Sequence, residues 1–176
     1  MRIFAATALA LMASATPALA QDATFQGPRV EVVGGWDRVE TKGPDASGFV
    51  YGGAAGYDLQ RGNIVFGVDG EITGTTAKKT IGTTQVKGGR DFYAGARVGY
   101  VVAPSTLLYG KVGYDNSRVI TRVGNAHNAN DVDGIRLGAG VEHTIGHYYG
   151  KVEYRYTNAA QGVERHQVLA GLGYRF

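Results

Sequence analysis

The chain has 176 residues, enough for one domain, with 28 glycines, four prolines, no cysteine and a formal net charge of +3. The cations are scattered singly rather than in runs, which excludes a nucleic-acid interface, and the lack of cysteine excludes disulfides and a lipid-modified N-terminal cysteine. Glycine supplies about 16% of the residues against a usual share of about 7%, without the period of a collagen.

Residues 1–20, MRIFAATALALMASATPALA, carry Arg2 near the start, then an apolar run, then Pro17 and Ala18-Leu19-Ala20. This layout predicts a secretory signal peptide cleaved before Gln21, leaving 21–176 as the folded domain. Beyond Ala20 no apolar run approaches the roughly 20 residues of a membrane-spanning helix. Hydropathy alone would therefore class the chain as soluble. The alternation of its side chains argues otherwise.

In RVEVVGGWDR (29–38), Val30, Val32 and Trp36 share one face while Glu31 and Asp37 share the other. FVYGGAAGYD (49–58) places Phe49, Tyr51, Ala55 and Tyr57 together, opposite Gly52, Ala54, Gly56 and Asp58. NIVFGVDGEIT (63–73) alternates Ile64, Phe66, Val68 and Ile72 with Gly67, Asp69, Glu71 and Thr73. DFYAGARVGYV (91–101) sets Phe92, Ala94, Ala96, Val98 and Tyr100 against Tyr93, Gly95, Arg97 and Gly99.

The second half repeats the pattern. LLYGKVGYD (107–115) opposes Leu108, Val112 and Tyr114 to Tyr109, Lys111, Gly113 and Asp115. GIRLGAGVEH (134–143) opposes Ile135, Leu137, Ala139 and Val141 to Arg136, Gly138, Gly140 and Glu142. YYGKVEYRY (148–156) opposes Tyr148, Val152, Tyr154 and Tyr156 to Tyr149, Lys151, Glu153 and Arg155. RHQVLAGLGYRF (165–176) ends the chain with Val168, Ala170, Leu172, Tyr174 and Phe176 on one side. Period-two patterning over about ten residues, repeated between turn signals, predicts antiparallel strands.

Connections around 59–62, 102–105 and 144–147 are short, while 39–48, 75–89, 119–132 and 157–164 are longer and polar. Eight strands with short turns on one side and long loops on the other predict an all-β, eight-stranded antiparallel up-and-down transmembrane β-barrel. Closure removes the two edges that an open meander would expose. A soluble lipocalin-like barrel shares the alternation with the faces reversed.

The faces separate the two. Trp36, Phe49, Tyr51, Phe92, Tyr114, Tyr154 and Tyr156 fall toward the long-loop side, and Tyr57, Tyr100, Tyr148, Tyr174 and Phe176 toward the short-turn side. Two levels of amphipathic rings with aliphatic or small residues between them are what two lipid–water interfaces select. The other face is glycine broken by isolated charges. Glycine weakens a strand on a wet surface but makes room inside a narrow barrel. A lumen network of Arg97, Lys111, Arg136, Lys151, Arg155 and Arg175 with Glu31, Asp69, Glu71, Glu142 and Glu153 is predicted, because an unpaired buried charge costs about 3–5 kcal/mol. Glu31 and Arg175, at the same end of the first and last strands, form a candidate pair.

Signal peptide, eight strands, alternating loop lengths and the terminal Tyr174-Arg175-Phe176 together resemble the small OmpA/OmpX-type outer-membrane β-barrel family of porin-like and opacity surface proteins. The resemblance implies a Gram-negative outer-membrane location, with Phe176 and Tyr174 as the signal read by the outer-membrane assembly machinery. It implies contact with outer-membrane lipid and lipopolysaccharide, a monomer, and loops facing surface or host ligands. OmpA itself carries a peptidoglycan-binding domain, and this chain stops with the barrel, so that role is not carried over.

Chemistry is sparse. His143 and His147 are four apart, but at a strand end and turn rather than on the helix a zinc protease needs. His127 and Asp131-Val132-Asp133 could hold a divalent cation weakly, although a solvated loop is the simpler reading. His166 opens the last strand on the lipid side. Ser47, Ser105 and Ser117 lack a histidine beside them in sequence, against the activated nucleophile of a lipid A acylase or deacylase. No catalytic residue, metal or cofactor is expected. A structural or surface-interaction protein, adhesin- or antigen-like, is the leading expectation, with a narrow channel for ions or small solutes as the alternative.

Overall fold

The computed structural model describes residues 24–40, 46–76, 78–81, 84–123, 126–159 and 163–176. The predicted signal peptide lies outside them. The strands are β1 (Gly27–Glu40), β2 (Ala46–Arg61), β3 (Ile64–Thr75), β4 (Lys78–Ile81), β5 (Thr84–Ala103), β6 (Thr106–Val123), β7 (Ala126–Ile145), β8 (Tyr148–Ala159) and β9 (Val163–Arg175). Every pairing is antiparallel, from Trp36 opposite Phe49 between β1 and β2 to Val152 opposite Ala170 between β8 and β9.

β1 pairs with β9, and β3 pairs with β5, so eight long strands close into a ring. The four residues of β4 pair with β5 where it runs past the end of β3. Closure leaves every strand of the ring a partner on both sides, which is the condition for placing backbone in hydrocarbon.

The short turns fall at 62–63, 104–105 and 146–147. Gly62 and Gly146 take φ of 58° and 62°, the left-handed conformation that tight hairpins demand. The long connections differ from their expected form. Most of 75–89 and 119–132 is ladder rather than loop: β5 and β7 each run 20 residues, about twice what crosses a bilayer. Their content explains it. Thr, Ile and Val recur in TIGTTQV (80–86) and RVITRV (118–123), and β-branched residues favour a continued strand even where the surroundings are polar. The result is a set of hairpins projecting beyond the ring.

Candidate functional site

The interior is the first candidate site. All eleven charges expected in the lumen are buried, and each reaches a partner from a different strand or from its own. The pleat does this: along β3, Asp69 and Glu71 turn inward while Phe66, Val68 and Ile72, at even-numbered positions, stay outside, each more than half exposed.

The charges stack in layers. Toward the short turns, Arg29, Arg97 and Arg175 meet Asp58, Asp69 and Glu142. Arg29 contacts both Asp58 (3.0 Å) and Asp69, Arg97 contacts Asp58 and Glu142 (3.0 Å), and Arg175 contacts the same two acids at 2.9 and 2.8 Å. In the middle, Lys111, Lys151 and Arg155 meet Glu31, Glu71 and Glu153. Lys111 Nζ lies 2.9 Å from Glu71 and 2.7 Å from Glu153, while Lys151 joins Glu31 and Glu153. Toward the hairpins, Arg136 bridges Glu71 to Asp115, and Arg165 contacts Asp37 and Asp91. The short-turn and middle layers each balance three cations against three anions. The hairpin-end layer carries one acid more than its two arginines.

The candidate pair Glu31–Arg175 does not form. Arg175 stands opposite Arg29 in the β1–β9 ladder, and its guanidinium goes to Asp58 and Glu142. Tyr149 separates the two: its ring lies 5.2 Å beneath the Arg175 guanidinium, and its hydroxyl donates to Glu31 at 2.9 Å. Arg29, Asp37, Asp58, Asp91, Asp115 and Arg165 belong to the network but were not among the expected charges. Asp37, Asp58 and Asp115 fall on the polar face read from the sequence, whereas Arg29, Asp91 and Arg165 open their segments, where a single flank sets the face.

Three tyrosines complete the filling. Tyr93, Tyr109 and Tyr149 are buried, with Lys111 4.7 Å over Tyr93 and Arg97 5.1 Å over Tyr109. The inward glycines give these rings their space. A Cβ on Gly173 would stand 2.2 Å from Tyr149 Cζ, and one on Gly140 would stand 2.7 Å from the Tyr109 hydroxyl. Apolar packing contributes too, since Val33, Val50 and Leu169 cluster inside the wall.

The outer wall is the reverse. Val30, Val32, Val68, Val98, Val112, Leu137, Val152 and Leu172 are exposed, as are the girdle rings Trp36, Tyr51, Phe92, Tyr100, Tyr114, Tyr148 and Tyr154. Tyr57, Tyr156 and Tyr174 are part-buried among their neighbours. At the short-turn level Tyr174 packs edge-on against both Tyr148 (5.2 Å) and Phe176 (4.9 Å), with His147 stacked on it at 5.6 Å. At the hairpin level the Tyr154 hydroxyl lies 2.6 Å from His166 Nδ1, and Tyr156 packs against the same imidazole.

Among the described residues, His143, His147 and His166 do not converge. His143 faces outward beside Thr106 Oγ1 at 3.1 Å, whereas His147 sits in a turn with Nδ1 3.0 Å from the Arg175 carbonyl. Asp133 accepts from Asn116 Nδ2 at 2.7 Å, while the His127 and Asp131 side chains lie outside the described residues. The Ser117 hydroxyl donates to Asp115 at 2.9 Å.

An apolar, ring-belted wall around a charge-filled bore defines a transmembrane β-barrel of the outer-membrane kind. The model of the outer membrane protein beta-barrel domain matches residues 6–176, and the chain belongs to that family. It is 31% identical over 148 residues to the 25 kDa outer-membrane immunogenic protein of Brucella ovis, covering 81% of this chain and 72% of that one. To the 22 kDa outer membrane protein of Rhizobium leguminosarum it is 28% identical over 149 residues, covering 76% and 70%. Among solved structures, Neisserial surface protein A superposes with a TM-score of 0.67 at 18% identity, covering 85% of this chain and 97% of that one. Ail, the attachment invasion locus protein of Yersinia pestis, superposes at 0.63 with 14% identity, covering 86% and 99%. These likenesses place the protein in the outer membrane as a small eight-stranded barrel.

Proposed function

We propose that the chain is a structural and surface-interaction protein, adhesin- or antigen-like, whose barrel is an anchor and whose projecting hairpins are the working surface. The observation that carries this is the filled bore: layers of ion pairs occupy the axis at the width where eight strands leave room for side chains and little else. Function then has to be sought on the outside. The name of the Brucella relative, an immunogenic protein, agrees with an exposed surface.

The face that favours an anionic partner is the ladder of β4, β5 and β6. Residues 76–90 hold Lys78, Lys79, Lys87 and Arg90, and residues 116–130 hold Arg118 and Arg122, with no acid in either stretch. Lys78 stands directly opposite Lys87 in the register of β4 and β5, so these strands bring the cations of 76–90 into one ladder. Arg90 is exposed and lies 5.1 Å over the Phe92 ring of the girdle, at the level of lipid headgroups. The phosphorylated headgroups of lipopolysaccharide are the partner this chemistry suits. A variant with residues 78–87 replaced by a Gly-Ser turn, which removes Lys78, Lys79 and Lys87, should still give the heat-dependent electrophoretic shift of a folded barrel while losing capture of lipopolysaccharide micelles. Unchanged capture would remove the hairpin from the reading.

The alternative of a narrow channel is tested by planar-bilayer recording of refolded protein, where stepwise conductance would displace the anchor reading. A lipid-modifying activity is tested by mass spectrometry of lipid A with and without the gene. Coincident profiles dismiss it.

A further inference from the structure

Thr24, Phe25 and Gln26 precede β1 and lie across the short-turn mouth of the barrel. Phe25 is fully buried there, in a cup formed by Val65 of β3, Val101 of β5, and Leu107 and Tyr109 of β6. Its N–H donates to Gln60 Oε1 at 2.9 Å, and Gln60 Nε2 donates onward to the Gly62 carbonyl at 2.9 Å. The Arg175 guanidinium lies 5.4 Å over the Phe25 ring, and its Nη1 donates to the Thr24 carbonyl at 3.5 Å.

The bend into β1 is made at Gly27, with φ of +116°, where a Cβ would stand 2.6 Å from the Phe176 carbonyl oxygen. Next to it the Phe176 N–H donates to the Pro28 carbonyl at 3.0 Å. The start and the end of the barrel are therefore fastened at one point.

Ring order gives this contact its meaning. β1 and β9 meet at the seam, and β6 stands four places from β1 in either direction round the ring. In an open sheet, strands four places apart are separated by roughly 19 Å. Phe25, carried by β1, can touch Leu107 and Tyr109 on β6 only when the ring has closed. Its anchors span the seam as well: Gln60 belongs to β2, and Arg175 is the last residue of β9.

We propose that Thr24–Gly27 is a closure strap, a segment that locks across the mouth after the β1–β9 seam has paired and that sets how fast the barrel reopens. Interactions made after the transition state slow unfolding and leave the folding rate nearly unchanged. The strap is independent of what the hairpins bind.

The test uses the chain refolded into detergent micelles, with the heat-dependent electrophoretic shift reporting closure. Phe25→Ala should unfold in urea about tenfold faster or more while its refolding rate changes less than about twofold. Phe25→Leu, which keeps an apolar side chain in the cup, should recover most of the difference. Since Trp36 is the single tryptophan, Phe25→Trp on a Trp36→Phe background gives a reporter inside the cup. Its emission should move to the blue together with, or after, the compact band. The proposal is overturned if Phe25→Ala slows refolding as much as it speeds unfolding, or leaves unfolding unchanged. A blue shift that precedes the compact band overturns it too, and that readout stands even if the alanine variant does not fold.

Discussion

Arg155 grips Glu71 through both carboxylate oxygens, with Nη1 2.6 Å from Oε1 and Nη2 2.8 Å from Oε2. The two residues come from β8 and β3, four places apart in the ring, so the pair crosses the full width of the bore. Lys111 of β6 and Arg136 of β7 reach the same carboxylate. Glu71 thus ties three strands of one wall to a fourth on the other. Removing its charge should cost about 3–5 kcal/mol, because three buried cations would share too little anion. Equilibrium urea unfolding of Glu71→Gln in micelles measures this. In a double-mutant cycle with Arg155→Met, the two losses should be strongly non-additive.

The glycine-lined interior has a steric counterpart. A methyl group on Gly173 would meet the Tyr149 ring 2.2 Å away. Gly173→Ala should therefore lose about 1–3 kcal/mol by overpacking. The same change made on a Tyr149→Leu background should cost far less. Equal losses in both backgrounds would place the clash elsewhere.

On the outer wall the cost of a charge should depend on depth. Val68 is exposed midway along β3, between the levels of the two ring belts. Val68→Arg should cost about 2–4 kcal/mol, whereas Trp36→Arg, at the hairpin-side belt, should cost about 0–1 kcal/mol from its charge. Folding equilibria in lipid vesicles distinguish the two. A neutral Val68→Arg would contradict a lipid-facing position.

One substitution in the hairpin tests the anionic partner. Lys87→Glu places an acid in the stretch 76–90, which otherwise holds four cations and no acid. The change should weaken lipopolysaccharide capture in proportion to the charge reversed. A variant that binds as well, or better, counts against the anionic partner.

How much of this was legible in the sequence follows from which residues have strong patterns on both sides. Asp69 and Glu71, flanked by Val68, Gly70 and Ile72, could be turned inward by parity alone. Arg29 and Arg165 stand at strand starts with one patterned flank, and the network claims both. Pairing across the bore is beyond any one-dimensional pattern, because it depends on register and on which strands face each other. That is why Glu31 was matched to Arg175, its near neighbour at the seam, rather than to Lys151. Phe25 had no alternation around it, and its burial follows only from ring closure. The hairpins were hidden by composition: polar, glycine-containing stretches read as loops, although their Thr, Val and Ile content supports strand.

Orientation is central to this barrel, apolar side chains toward lipid and charged ones toward the axis. With no native cysteine to remove, single cysteines at Phe66, Gly67, Val68 and Asp69 can carry nitroxide labels in vesicle-embedded protein. Labels at 66 and 68 should collide freely with membrane-dissolved oxygen and be shielded from a water-soluble nickel chelate. Those at 67 and 69 should be immobilised and shielded from both. Nickel access at 66 and 68, or the absence of any two-residue alternation, would contradict the account.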